Sequence, residues 1–199
     1  MSENTAFEPA TALRAAWDPA TAPHAFRAKT REDAGAWQAE TREALAATIG
    51  FLDSPRVDPE PTRVELVDTG AYTRAEVVIR TAPHTQMPVY LLRPAHVEPP
   101  YPVVVAFHGH GYGVKDIVGL WEDGSERDTP DGYHRDFGVA LCRQGFAVAA
   151  PEISCFGERQ TEFGYLDRTL GSPVPTTCEN TAALATHLGG SVVGLRARD

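Results

Sequence analysis

Apolar residues change their spacing several times along this chain, and each change predicts an element. From Thr30 to Gly50, the stretch TREDAGAWQAETREALAATIG sets Trp37, Thr41, Ala44, Leu45 and Ile49 on one helical stripe. Thr30 and Asp33 stand at capping-box spacing and Gly50 closes the pattern, so an amphipathic helix is predicted over residues 30–50. Residues 1–29 before it are rich in Ala, Pro and Thr without a clear period, and are expected to form an arm lying on the surface or partly disordered. After the helix, Asp53 to Thr62 carries three prolines and reads as a linker.

Between residues 63 and 93 the period shortens towards two. RVELV, TRAEVVIRT and MPVYLLRP, divided by the turn signals Asp68-Thr69-Gly70 and Ala82-Pro83-His84, predict antiparallel strands. Val103–Phe107 and Phe146–Ala150 are instead unbroken apolar runs, the pattern of parallel strands covered on both faces. Tyr133, Phe137, Ala140 and Leu141 form a helical stripe between them that ends at Gly145, so residues 103–150 read as a βαβ unit. Residues 151–178 are too long and aromatic for a simple connection and are expected to wall a site. A second helix is predicted over residues 179–199, opened by Thr176 and Glu179 and followed past Gly189 and Gly190 through Val192 and Leu195. The fold class is α/β: N-terminal antiparallel strands joined to a parallel βαβ unit.

Composition narrows the function. With 199 residues, 42% hydrophobic and 23% charged, the chain is long enough for one domain with a core. Its 18 Lys and Arg against 27 Asp and Glu give a net charge of -9 with no basic cluster, so nucleic acid is not an expected partner. Three cysteines without a C-x-x-C pair fit reduced thiols and a cytoplasmic setting. The N-terminus lacks an apolar secretory core and no apolar run approaches about 18 residues, so no membrane partner is expected either.

The first apolar run ends in His108-Gly109-His110-Gly111. Glycines remove the Cβ atoms that would keep a ligand from the main chain, so this turn can aim N–H groups at a developing negative charge. An oxyanion hole is the expected chemistry, with His108 and Gly109 shaping the loop, and no cofactor is required. A second possibility is a metal site in which His108 and His110 are completed by His134, Glu152 or Asp131. Glu152 and Arg159 are the charged residues expected nearest the cleft, Arg159 as an anchor for an anionic substrate group, unless the two merely staple the loop to itself. Trp121 is expected to line the pocket or to cover the sheet edge. Cys155 has no base near it in sequence and is expected to be an inert buried thiol.

YPVVVAFHGHGYG, followed after one βα unit by GFAVAAPEISCFGER, resembles the α/β-hydrolase superfamily in its dienelactone hydrolase and acetyl xylan esterase-like branch, from about Trp37 to Asp199. The resemblance implies a carboxylic-ester hydrolase acting on a small-molecule ester, with His110, or alternatively Gly111, giving an oxyanion N–H. That family also needs a nucleophile on a G-x-S-x-G elbow, then an acid and a histidine. None of the six serines has this context, Gly189-Gly190-Ser191-Val192-Val193 being the nearest pattern. In the family's order the elbow strand follows the second helix, so residues 30–199 are expected to be an incomplete hydrolase domain, the N-terminal part of the enzyme, without activity alone. Val103–Phe107 would then be a sheet edge open to a second chain. The alternatives are a non-catalytic binding or complementation module and a metal-dependent hydrolase.

Overall fold

Reciprocal hydrogen bonds open the long N-terminal helix as its sequence predicts. The Asp33 amide donates to Thr30 Oγ1 at 3.1 Å and the Thr30 amide to Asp33 Oδ2 at 3.2 Å. The computed structural model describes residues 8–17, 22–50, 55–163 and 177–199. These fall into two compact units, Met1–Thr48 and Ile49–Asp199. The first holds helix α1 (Pro9–Ala16) and nearly all of helix α2 (Arg31–Ile49). The N-terminal stretch contains a helix whose residues are all exposed, and the segment after it packs on α2. The Trp37 indole N–H donates to the His24 carbonyl at 2.9 Å, and Phe26 meets the Trp37 ring edge-on at 4.8 Å. On the predicted stripe Leu45 is exposed and the other four residues are only partly covered.

In the second unit the period-two text becomes strands β1 (Thr62–Asp68), β2 (Tyr72–Ala82) and β3 (Thr85–Pro94), paired antiparallel. The Gly70 amide donates to Asp68 Oδ1 at 2.8 Å in the first turn, and Gly70 has φ of 80°. Alternation is clearest in β3, where Tyr90 and Leu92 enter the core while Met87 and Val89 face the opposite side of the sheet. Strand β4 (Val103–Val105) and strand β5 (Ala147–Pro151) are parallel neighbours joined through helix α3 (Phe137–Arg143), which is the predicted βαβ unit. The sheet order is β1-β2-β3-β5-β4, with β3 and β5 antiparallel.

Several boundaries differ from those predicted. β4 is two residues shorter, although the Ala106 amide still donates to Ala149 O at 2.8 Å. α3 starts at Phe137, because Arg135 and Asp136 take left-handed φ of 50° and 52° and break the turn before it. Of the predicted stripe Tyr133 is 85% exposed and Ala140 is exposed, while Phe137 and Leu141 pack partly buried against a core that Gly138, Val139 and Cys142 enter fully. Gly138 allows that approach, since a Cβ there would lie 2.6 Å from the Ile117 carbonyl. The C-terminal helix is two: α4 (Thr177–His187) and α5 (Val192–Arg198). Gly189, with φ of 74°, ends the first, and the Ser191 hydroxyl caps the second by accepting from the Gly194 amide at 3.0 Å. Thr176 lies outside the described residues. No described helix is long and apolar enough to cross a membrane.

The core lies between one sheet face, α3 and the segment after β4, and includes Tyr90, Leu92, Val114, Ile117, Val118, Val139, Cys142 and Val148. Burial pushes the Cys142 thiol from its ordinary value of 9.0 up to about 11. The folded chain therefore keeps a proton that the unfolded chain releases, so stability is full below about pH 9 and falls as pH rises towards 11. Urea unfolding at pH 8 and pH 10.5 should show a loss on the order of 2 kcal/mol. Cys142→Ala should lessen that loss.

Candidate functional site

The turn after β4 is fastened at both ends by residues from the loop after β5. His108 is buried, with Nε2 2.8 Å from Glu152 Oε1 and Nδ1 2.9 Å from the Gly109 carbonyl. The Ile153 amide also points at His108 Nε2, at 3.2 Å. At the other end of the turn, the Val114 amide donates to Glu152 Oε1 at 3.1 Å. Glu152 is 1% exposed, so it faces no substrate, and the expectation that it stands in the cleft is corrected. It enters the interior because its carboxylate finds donors there, without which burial of a charge is prohibitive.

Two glycines make that burial possible. A Cβ at Gly113 would lie 2.7 Å from both Glu152 oxygens, and one at Gly157 would lie 2.0 Å from Oε2. Both have positive φ, 108° and 47°. Gly157→Ala is therefore expected to lower the unfolding free energy by about 2–3 kcal/mol, measured by urea denaturation. The glycines of the H-G-x-G turn also serve neighbouring side chains: a Cβ at Gly109 would press on the His134 ring at 3.1 Å, and one at Gly111 on Asp116 Oδ2 at 2.8 Å. Close approach is indeed what they permit, but to these two groups.

His110 sits at the exposed crest of the turn, its ring edge-on to Phe156 at 5.7 Å. His134 Nε2 lies 3.1 Å from both the Gly109 amide and the His110 carbonyl, and it can serve one at a time, accepting from the first or donating to the second. Among the described residues, the main-chain N–H groups of His110 and Gly111 donate to no protein acceptor. The two residues line a cavity of about 350 Å3 whose other walls include Cys155, Phe156, Gln160 and Cys178.

Arg159 does not stand free in that cavity. It is 9% exposed, pairs with Asp199 Oδ2 at 2.8 Å, and donates to the Glu152 carbonyl at 3.1 Å. The proposed anion anchor is thus already occupied, and its ionic partner is Asp199, not Glu152. Asp199 also accepts from Ser154 Oγ at 2.6 Å and Thr81 Oγ1 at 3.1 Å. Arg196 donates to the Ser154 carbonyl and lies over the Phe156 ring, so α5 braces the aromatic wall of the site. Trp121 stacks under Arg127, 5.3 Å from ring centre to guanidinium, away from the residues of this cavity. Cys155 is buried, with φ of 74°.

The metal arrangement fails on geometry. Both ring nitrogens of His108 face protein groups within 3.2 Å, and Asp131 is exposed and caps the Gly132 amide at 2.7 Å. Among the described residues no three His, Cys, Asp or Glu side chains converge as a metal site would require.

Sequence reasoning missed His134 as the partner of Gly109, Phe156 as the wall shared by His108 and His110, and the buried cluster under the turn. In that cluster Arg127 binds Asp136, Asp116 at 3.0 Å, the Asp116 carbonyl at 2.8 Å and the Tyr112 hydroxyl at 2.6 Å. Burial first, then the nearby aspartates, pushes Tyr112 up to about 12, against the opposing pull of Arg127. The one signal available was the surplus of charge in a segment that also supplies core residues, Val114 to Arg127.

Comparison with known proteins agrees with this architecture. A family model described as the Abhydrolase family matches residues 15–169. The chain is similar to a protein assigned as an acetyl xylan esterase from Bacteroides fragilis NCTC 9343, with 19% identity and a TM-score of 0.67 over 88% of this chain and 44% of that one. It is also similar to acetyl xylan esterase 1 from Thermoanaerobacterium sp. JW/SL YS485, with 11% identity and a TM-score of 0.40 over 78% of this chain and 47% of that one. The chain thus spans less than half the length of these two structures. No curated protein matches the sequence.

Proposed function

The chain belongs to the Abhydrolase family, and we propose on that footing that its 108–114 turn is the oxyanion-hole part of a serine-type carboxylic-ester hydrolase. A single observation carries the reading: the His110 and Gly111 amides lack acceptors among the described residues, and these two residues line a cavity. As a nucleophile adds to an ester carbonyl, negative charge gathers on the carbonyl oxygen, and donors already in place stabilise it without reorganising. One such donor contributes about 3 kcal/mol to the transition state.

On this reading none of the described serines is the nucleophile. Ser191 is engaged as the cap of α5 and donates to the Ile49 carbonyl, while Ser154 donates to Asp199. Ser125 is tied to Asp123 at 2.7 Å. Each of these hydroxyls serves local structure. The test is hydrolysis of p-nitrophenyl acetate by this chain and by a form extended past Asp199. Turnover only by the extended form, blocked by a serine-directed phosphonate, is the expected result, and inactivity of both forms would remove the reading.

One observation favours a second reading, a complementation module that pairs with another polypeptide. β4 is the edge of the sheet, and Val103, Val105 and Phe107 are 68%, 57% and 61% exposed. A specific oligomer in light scattering, without ester hydrolysis in either form, would favour this reading over the first.

A further inference from the structure

We propose that Glu152 is the positioning residue of the 108–114 turn: its buried carboxylate grips both ends of the turn and so fixes where the His110 and Gly111 N–H groups point. The inference rests on the reading of those N–H groups as an oxyanion hole. It assigns to Glu152 a role different from contact with substrate.

The argument starts from one oxygen atom. Oε1 lies 2.8 Å from His108 Nε2 and 3.1 Å from the Val114 amide, residues that bracket the turn on either side. Oε1 accepts from the Val114 amide and stands within hydrogen-bond reach of His108 Nε2, which donates to it when protonated and otherwise accepts from the Ile153 amide. His108 Nε2 and the Val114 amide thus both meet one oxygen of Glu152. The span between them, Gly109 to Gly113, has its ends fixed in space.

The surroundings of Glu152 support a dedicated role. Gly113 and Gly157 leave no room for a Cβ on either side of the carboxylate. Arg159 donates to the Glu152 carbonyl and is itself held by Asp199, so the main chain carrying Glu152 is pinned from α5. Phe156 lies edge-on to both His108, at 5.3 Å, and His110, at 5.7 Å, which passes the same constraint to the crest of the turn. Fastening a loop for stability alone does not require a charge, since an apolar plug of similar volume is often neutral or better. A buried acceptor reaching two donors supplies direction as well, which is what aimed N–H groups need.

Backbone relaxation on the 15N-labelled chain tests this. In the wild type, order parameters at His110 and Gly111 should sit near about 0.85, the value of rigid backbone. Glu152→Gln keeps an acceptor oxygen but loses the charge, and those two values are expected to fall below about 0.6 while β2 and β3 keep theirs. Val114 amide exchange should quicken by about tenfold or more in the same variant. If Glu152→Gln does not fold, His108→Gln cuts one end of the grip only, and the same two positions are read. Unchanged order parameters at His110 and Gly111 in a folded variant would overturn the proposal, as would an equal loss spread across the whole sheet. Loosening of the turn in a protein that hydrolyses no ester in any form would leave this inference standing and remove the proposed function alone.

Discussion

Replacing Arg127 with alanine is expected to lower the unfolding free energy by about 3–5 kcal/mol, a large part of the whole stability of a small domain. The guanidinium is fully buried between Asp116 and Asp136, and also reaches the Asp116 carbonyl and the Tyr112 hydroxyl. Removing it leaves two carboxylates inside the protein without their cation. That loss exceeds anything the pair contributed by attraction, because the dehydration of the aspartates is no longer offset. The mechanism predicts its own rescue: Arg127→Met with Asp116→Asn and Asp136→Asn should recover most of the stability, since no orphaned charge remains. Urea denaturation of the single and triple variants decides the matter. Equal losses in both would show that packing around the side chain, not charge, sets the cost. Because Asp116 lies against Gly111, a destabilised cluster should also disturb the turn above it.

The second large effect is expected at β4. Among the described residues no strand pairs with its outer side, and Val103 and Val105 on it and Phe107 just after it stand exposed. Beside them an apolar cavity of about 340 Å3 is lined by Ile79, Met87, Val89, Val105, Phe107 and Ala149. An edge of this kind offers a template for another strand, and natural proteins blunt such edges with lysine or proline. The chain is therefore expected to self-associate at micromolar concentration. Val103→Lys with Val105→Lys should weaken that association by about tenfold or more, as each new ammonium would have to be dehydrated in any strand pair formed there. Light scattering across a dilution series provides the measurement. A wild-type chain that is monodisperse and monomeric, with a sharp cooperative melt, would contradict the expectation.

Local pattern was sufficient for the order of elements from α2 to β5, though not for α1 or for the division of the C-terminal helix. The alternation in TRAEVVIRT and MPVYLLRP, the Thr30–Asp33 box and the two unbroken apolar runs each depend on residues within a few positions of one another, so their signal survives in the text. The His108 to Gly111 motif belongs to the same class, because a turn that breaks an apolar strand is visible locally. The exposed β4 edge followed from the expected strand order combined with the absence of an elbow pattern. Boundaries were less legible where the backbone departs from local preference, as at Arg135 and Asp136, whose left-handed φ nothing in their neighbourhood demands.

What each polar side chain does in the site was decided only in three dimensions. Glu152 and Arg159 are seven positions apart and looked like a pair at the cleft, yet one is buried against His108, 44 residues away, and the other is held by Asp199. The reason is physical. A charge in a protein takes whichever partner best offsets its dehydration, and that partner is set by the meeting of distant strands and helices. By itself the sequence determined that a glycine-flanked turn would interrupt an apolar strand. Only the tertiary structure decided that a carboxylate from the neighbouring loop would hold both ends of it.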